Sequence, residues 1–369
     1  MFRALSGVFA TFLVGVPATL SADTLLRVRI ETAVESVTVG GSELRANREA
    51  LAGSEITAVA EGEAVRLGKL RSPVPVGVEA LGGVWVNGRR YPGALSLVPR
   101  GGGRLDVLNL VDLEAYVERS VAAEVAASWP EEMLKAQAIV ARTYALYERR
   151  HRARESFDLE SSVLSQKYSG DRVPAAARGA TRATRGAYLS YGGAPILAAF
   201  HSSSGGFTAS SEEVWGEALP YLGGVPSPDA AAPDYFWRYE ISRSDLRDAL
   251  ADAGFDPGDH VDVRVLRRSG SGRVERLAVG ASVLSGRQLR GVLGGRAIRS
   301  SLFEVGVSQD WIRFMGSGAG HGVGLCQWGA RELALRGRHA REILDYYYPG
   351  THLRQLGARP EKRDRGSTP

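Results

Sequence analysis

Between Asp112 and Arg154 the chain repeats apolar residues at helical spacing, and the repeat breaks once, at Ser128-Trp129-Pro130. Proline is tolerated in the first turn of a helix and not in its interior, so the break divides the stretch in two. The spacing predicts one helix from the N-cap Asp112 through LEAYVERSVAAEVA, and a second from about Pro130 to Arg154. Glu131 and Glu132 suit the positive start of the second helix, and Arg149, Arg150 and Arg152 suit its C-terminal end.

Successive helical residues turn by roughly 100°, so positions three, four and seven apart share a face. Leu113, Val117 and Val121 form such a stripe, and Glu124 falls near its middle, whereas Glu114 and Glu118 fall toward the opposite, solvated side. An unpaired carboxylate in apolar surroundings costs several kcal/mol or takes up a proton. Two readings follow for Glu124: a structural ion pair with an arginine such as Arg142 on the next helix, or a general acid with a raised pKa. Helical geometry alone leaves both open.

The surrounding chain predicts an α+β fold. Residues 24–108 read as short strands and turns: LLRVRI alternates, GVWVNGRRY carries an Asn-Gly hairpin signal, and a further hairpin turns at the glycine run of GALSLVPRGGGRLDVLNLV. Residues 156–192 are irregular, with short strand-like runs such as GAYLSY, and GGAPILAAF is an apolar strand leading into HSSSGGFT. Residues 240–310 read as a small inserted α+β subdomain, with a helix in SRSDLRDALADAG, a hairpin in VDVRVLRRSGSGRVERLAV, a helix in SGRQLRGVLGG and a strand in SLFEVGV. A last short helix is expected around REILDYYYPG. The expected organisation is a signal peptide at 1–22, a β-rich N-terminal region at 23–104, a central helical catalytic segment with mixed strands at 105–350, and a basic, disordered tail at 351–369.

Residues 1–22 place Arg3 before a short apolar run broken by Gly15 and Pro17, the layout of a secretory signal peptide. No other stretch reads as a membrane span, so a secreted, periplasmic or cell-wall-associated protein is expected, an uncleaved anchor being the alternative. A formal charge of +5 suits contact with an anionic polymer such as cell wall and is too diffuse to argue for nucleic acid. The single cysteine, Cys326, excludes an intramolecular disulfide and a thiolate zinc cluster.

Two glycine-rich loops carry histidines. His201 opens HSSSGGFT, whose backbone N–H groups and hydroxyls, Ser203 and Ser204 among them, suit sugar hydroxyls or an N-acetyl group; a structural turn histidine is the alternative. His321 lies in GSGAGHGVGLCQWG, where glycines let the backbone approach a ligand or a neighbouring strand. This is neither a dinucleotide fingerprint nor a P-loop, since no βαβ unit surrounds it and no Gly-Lys-Ser/Thr follows. A Cys326 nucleophile activated by a histidine is a weaker alternative to a small buried thiol. No Gly-x-Ser-x-Gly elbow supports a serine triad, and no His-x-x-x-His spacing supports a metal.

Three stretches together resemble the stage II sporulation protein D family: AAEVAASWPEEMLKAQAIVARTYAL, FHSSSGGFTASSEEVWGEALPYL and GAGHGVGLCQWGARELALRG. They match that family's Glu-Met-Pro, Trp-Pro, Leu-Lys-Ala-Gln-Ala and Ala-Arg-Thr-Tyr-Ala pattern, its His-Ser-x-Ser-Gly-Gly and Glu-Val-Trp-Gly segments, and its Gly-His-Gly-Val-Gly-x-Ser-Gln-Trp-Gly-Ala signature. The resemblance implies a protein acting on peptidoglycan glycan strands, as a lytic transglycosylase cutting denuded strands between N-acetylmuramic acid and N-acetylglucosamine, or as an enhancer of a cell-wall amidase. It places the catalytic carboxyl on Glu124 and substrate contacts on Arg142, Tyr144, His201, Ser203, Ser204, His321, Gln327 and Trp328. One carboxyl suffices for such a cleavage, because the C6 hydroxyl of muramic acid attacks in place of water, giving a 1,6-anhydro product.

Three departures from the pattern stand out. Val125-Ala126 replaces Met-Pro after the glutamate, and Cys326 replaces the serine before Gln-Trp-Gly. Glu160 and Ser165 stand where some relatives carry zinc-binding cysteines, so neither metal nor other cofactor is expected.

Overall fold

The computed structural model describes residues 24–161, 166–168, 173–258 and 260–357. The expected signal peptide, Ser165 and the tail beyond 357 lie outside the described residues. The fold is α+β. An eleven-stranded sheet dominates its N-terminal part, running through Leu159–Glu160, Leu25–Val34, Arg104–Asp112, Ala94–Gly101, Val76–Val86, Ser36–Ala46, Glu55–Glu61, Ala64–Leu67 and Leu70–Ser72. Glu49–Ala50 and Arg89–Tyr91 pair off this path. The sheet curls, bringing Glu55–Glu61 against Arg104–Asp112 and Ala64–Leu67 against Ala94–Gly101. The Asn-Gly signal is a tight hairpin: Asn87 and Gly88 have φ of 46° and 78°, the left-handed pair that two-residue turns require.

Arg104–Asp112 runs straight into the first helix, α1 (Leu113–Glu124). Asp112 ends the strand and caps the helix, accepting from the N–H groups of Glu114 (2.9 Å) and Ala115 (3.2 Å). The expected 104/105 boundary between the β-rich region and the catalytic segment therefore falls inside the sheet. Leu26, Val28, Leu95 and Leu97 of the strands share one core with Val117 and Val121 of α1 and with Met133 and Ile139 of α2 (Glu131–His151). The remaining helices are α3 (Ala175–Ala183), α4 (Ser211–Trp215), α5 (Arg243–Asp252), α6 (Gly286–Leu293), α7 (Gln327–Leu335) and α8 (Ala340–Tyr347).

The inserted subdomain has its own core around Leu246, Leu277, Leu289, Phe303 and Phe314. It is wider than 240–310, because Phe236–Ser242 and Trp311–Ser317 pair with each other and with Phe303–Val307 as one three-stranded sheet. Val263–Arg268, Val274–Val279 and Ser282–Leu284 form the second. Nor is the chain after 350 wholly tail: His352–Gln355 pairs antiparallel with Ala187–Tyr191, and Leu356 is buried behind it. Backbone pairing, to which side-chain periodicity over four residues is blind, orders this segment.

Candidate functional site

Helix α1 stops at Glu124. The next residue, Val125, is extended (φ −133°, ψ 151°) while its N–H still bonds to Val121 O. A proline confines the residue before it to this region of backbone space, so Val125 makes without one the turn that Met-Pro would enforce. The Glu124 side chain keeps 10% of its surface. Its Oε1 accepts the Lys167 backbone N–H at 2.7 Å, the Lys167 ammonium stands 3.8 Å from Oε2, and the Gln327 side chain hydrogen-bonds to it as well. Burial outweighs these contacts and pushes the carboxyl above its ordinary pKa. Tyr144 is half-buried against the main core, and it and Glu124 both lie within electrostatic reach of the buried Tyr116 phenol.

The ion pair weighed for Glu124 exists, with a different carboxylate. Arg142 is fully buried and grips Glu114 through Nε (2.8 Å) and a terminal nitrogen (2.7 Å), its other nitrogen donating to Ala187 O. Glu114 also accepts the Gly186 N–H at 3.1 Å. Two expectations change here. Glu114 is not solvated, because α3 and the turn after it close over that side of α1. Arg142, expected to contact substrate, has no exposed surface and holds the helix pair together.

The serines of the His201 loop are also occupied internally. Asp229 accepts from the hydroxyls of Ser203 (2.7 Å) and Ser204 (3.1 Å) and from the N–H groups of Ser204, Gly205 and Gly206. Asp229, Ser203 and Ser204 are all buried, so the donors expected to face a sugar converge on a carboxylate of the chain itself. Asp229 sits in GVPSPDAAAP, a stretch whose spacing gives no hint of this role.

His201 donates from Nδ1 to Val323 O (3.1 Å), and its Nε2 is buried with no protein partner among the described residues. His321 accepts the Val323 N–H at Nδ1 (3.0 Å), and its other nitrogen bonds to the Phe200 backbone. The two rings lie 5.5 Å apart, and Trp215 lies 5.5 Å beyond His321. Burial lowers both, His201 well below the usual range and His321 to about 4, so both are neutral at pH 7. Glycine is required beside them: a Cβ on Gly320 would lie 2.8 Å from the His201 Cβ, and one on Gly324 only 2.0 Å from Ala199 O.

Phe200–His201 and Leu325–Cys326 form a parallel bridge, and this pairing ties the histidines to Glu124. Gln327, immediately after it, opens α7, contacts Glu124, and donates at 3.5 Å to Gln137 of α2. Trp328 donates its backbone N–H to Ser202 O, and its indole meets Trp129 edge-on at 5.0 Å. Cys326 is buried as the N-cap of α7, its sulfur near Asp229 and accepting from Gly329 N–H. Burial raises this thiol to about 11, the reverse of what a nucleophile needs, which counts against the Cys/His peptidase reading. Glu160, on a strand of the large sheet, is paired with Arg29.

Glu124, Gln327, Trp328, His201 and His321 thus belong to one connected region. Lys167, Trp129 and Gln137 are members that sequence reasoning missed. A cavity of about 740 Å³ lies elsewhere, in the inserted subdomain between Phe236, Trp237, Arg268 and Met315.

Comparison with known proteins matches residues 101–191 to the family described as stage II sporulation protein, and residues 212–324 to a domain of unknown function. The chain is 30% identical to stage II sporulation protein D of Bacillus subtilis over 265 residues, 67% of this chain and 76% of that one. It is 32% identical to an uncharacterized protein of Brachyspira hyodysenteriae over 277 residues, 74% and 75% of the two chains. It is 26% identical to the amidase enhancer of Bacillus subtilis over 282 residues, 62% of this chain and 39% of the enhancer. None of the helices among the described residues is long and apolar enough to cross a membrane. With its helix pair, its two histidine loops and three quarters of a sporulation protein D aligned to it, the chain belongs to the stage II sporulation protein D family.

Proposed function

We propose that this protein is a secreted peptidoglycan lytic transglycosylase in which Glu124 is the single general acid and base. The observation that carries the reading is the state of that carboxyl. It is desolvated enough to hold its proton above the ordinary carboxylate range, yet keeps an opening to solvent. A protonated Glu124 would give its proton to the glycosidic oxygen as the bond to C1 of N-acetylmuramic acid breaks. The carboxylate left behind is met by the Lys167 N–H and the Gln327 amide, which stabilise charge as it develops. It would then take the proton of the muramic acid C6 hydroxyl, whose oxygen closes on C1. The proton count balances, and Glu124 returns to its starting form.

A separate general base is not needed, in contrast to ordinary glycosidases with two carboxylates. His201, buried, and His321, half-buried, are both neutral and fit the role of rigid hydrogen-bonding groups rather than proton carriers. Tyr144, Gln327 and Trp328 remain as the other substrate contacts of the proposed site.

Amidase-treated peptidoglycan incubated with the protein should release 1,6-anhydromuramyl products detectable by mass spectrometry, and Glu124→Gln should abolish them. Products persisting in that variant would remove Glu124 from its role. A second reading, a glycan-binding enhancer of an amidase, is favoured by the alignment with the Bacillus amidase enhancer. It predicts no anhydro product from the wild type and faster release of stem peptides by an added amidase.

A further inference from the structure

One cation on α7 has no counter-charge among the described residues. Arg331 sits one turn after Trp328 on α7, where positions three apart share a face. Its guanidinium carbon lies 5.1 Å from the Trp328 ring centre and 5.9 Å from that of Trp129. Among the described residues its side chain makes no hydrogen bond or ion pair, and its Nε is buried without a partner. Glu332, next to it in the chain, pairs with Arg336, and Glu131 and Glu132, which follow Trp129 and Pro130, pair with Lys135. Trp129, Trp328 and Arg331 are each half-buried, leaving part of this platform open.

An arginine packed against indoles is steadied in place, and its planar fork of donors has the geometry that takes a carboxylate bidentately. Indole faces and edges in turn offer apolar surface to a pyranose ring. The platform is bound to the proposed acid through Gln327, which precedes Trp328 and contacts Glu124. A ligand seated here would therefore be a sugar that carries a carboxylate. On a glycan of N-acetylglucosamine and N-acetylmuramic acid, the anionic group of the sugar itself is the lactyl carboxylate, free only where the stem peptide has been removed.

We infer that Arg331, held by Trp129 and Trp328, is the specificity-determining residue that reads the free lactyl carboxylate of a muramic acid beside Glu124. The inference rests on the glycan-cleaving reading for its substrate and on binding for its test. In a peptide-bearing strand the same carboxyl is an amide, has no charge to offer, and leads a peptide across the platform. The platform would thus select denuded strands without contact to the bond that is cut.

The test is calorimetric binding in a Glu124→Gln background, where nothing is cleaved, with and without Arg331→Leu. The probes are denuded glycan oligomers, the same oligomers with the lactyl acid reduced to an alcohol, and peptide-bearing oligomers. The parent should bind the denuded acid about ten- to hundredfold more tightly than the reduced form, the span of a charge-assisted contact. Arg331→Leu should bind both equally, and Arg331→Lys should recover part of the difference, keeping the charge and losing the fork. An Arg331→Leu variant that still prefers the acid would overturn the inference. A loss on peptide-bearing strands as large as that on denuded ones would also overturn it, since the carboxylate read would then be on the peptide. Unchanged thermal midpoints separate these outcomes from misfolding. Absence of anhydro product from the wild type would count against Glu124 as catalyst and leave the binding difference standing.

Discussion

Glu114 and Arg142 close a two-pronged ion pair between α1 and α2, with 2.8 Å and 2.7 Å contacts and no solvent at the guanidinium. The arginine sits in a run that resembles a family motif and so invites a substrate-binding role. Its surroundings give it a different one, since both faces of the pair are closed by the core and by the turn at Gly186.

Removing one partner of such a pair strands the other charge in a dry interior. Glu114→Leu should cost about 3–5 kcal/mol in urea unfolding. Replacing both partners, with Glu114→Leu and Arg142→Met together, should recover most of that loss, because neither charge is then buried. A single variant within 1 kcal/mol of wild type would mean that water reaches Arg142.

Glu124 should show the opposite behaviour, because its desolvated carboxyl is held at a cost to stability. Its folded pKa lies above that of the unfolded chain, so its contribution is fully present below about 4.5 and is lost as pH rises through the folded value. Glu124→Gln keeps an acceptor for the Lys167 N–H and removes the desolvated charge. The variant should therefore melt at a higher temperature than wild type at pH 7 and at an equal one near pH 4. A lower midpoint at pH 7 would show that Lys167 and Gln327 more than offset the burial.

Periodicity located α1 and α2, and it placed Glu124 on the inward face. It misplaced Glu114 because one helix turn carries no information about a later helix, α3, packing over its other side. The subdomain was legible almost element by element, since α5, α6 and its hairpins each carry local caps and turn residues. Ser242 and Ser285 cap α5 and α6 through their hydroxyls, as their positions before each apolar run imply. The site was less legible for a physical reason. Asp229, Lys167 and Gln137 act through contacts that span 25, 43 and 190 residues of chain, to Ser204, Glu124 and Gln327 respectively. None leaves a local pattern, and the serines of the His201 loop read as free donors until Asp229 is seen between them.

The histidine pair should govern the acid limb of stability. His321 has a folded pKa of about 4 against an ordinary 6.5, so between those values the unfolded chain binds more protons than the folded one. Stability then falls as pH drops from 6.5 to 4, by about 3 kcal/mol for this residue alone. His201, buried and lowered in the same sense, adds to the fall. His321→Gln should flatten the limb in urea titrations at pH 7, 5.5 and 4, and parallel limbs for variant and wild type would remove His321 as the cause.

Cys326 offers a test of whether the one thiol has any chemistry. It caps α7, accepting the Gly329 N–H, with its sulfur beside Asp229 and its pKa pushed up to about 11. A hydroxyl in this place meets the same two demands with shorter bonds, accepting from the helix and donating to Asp229. Cys326→Ser should thus hold its stability within about 1 kcal/mol and keep glycan binding and anhydro-product formation. In the wild type, a thiol reagent at pH 8 should label Cys326 only after urea unfolds the chain, because the thiolate is scarce and the sulfur is enclosed. Rapid labelling of the native protein, or loss of product in a folded Cys326→Ser variant, would restore the thiol as a reacting group and displace Glu124 from sole charge of the chemistry.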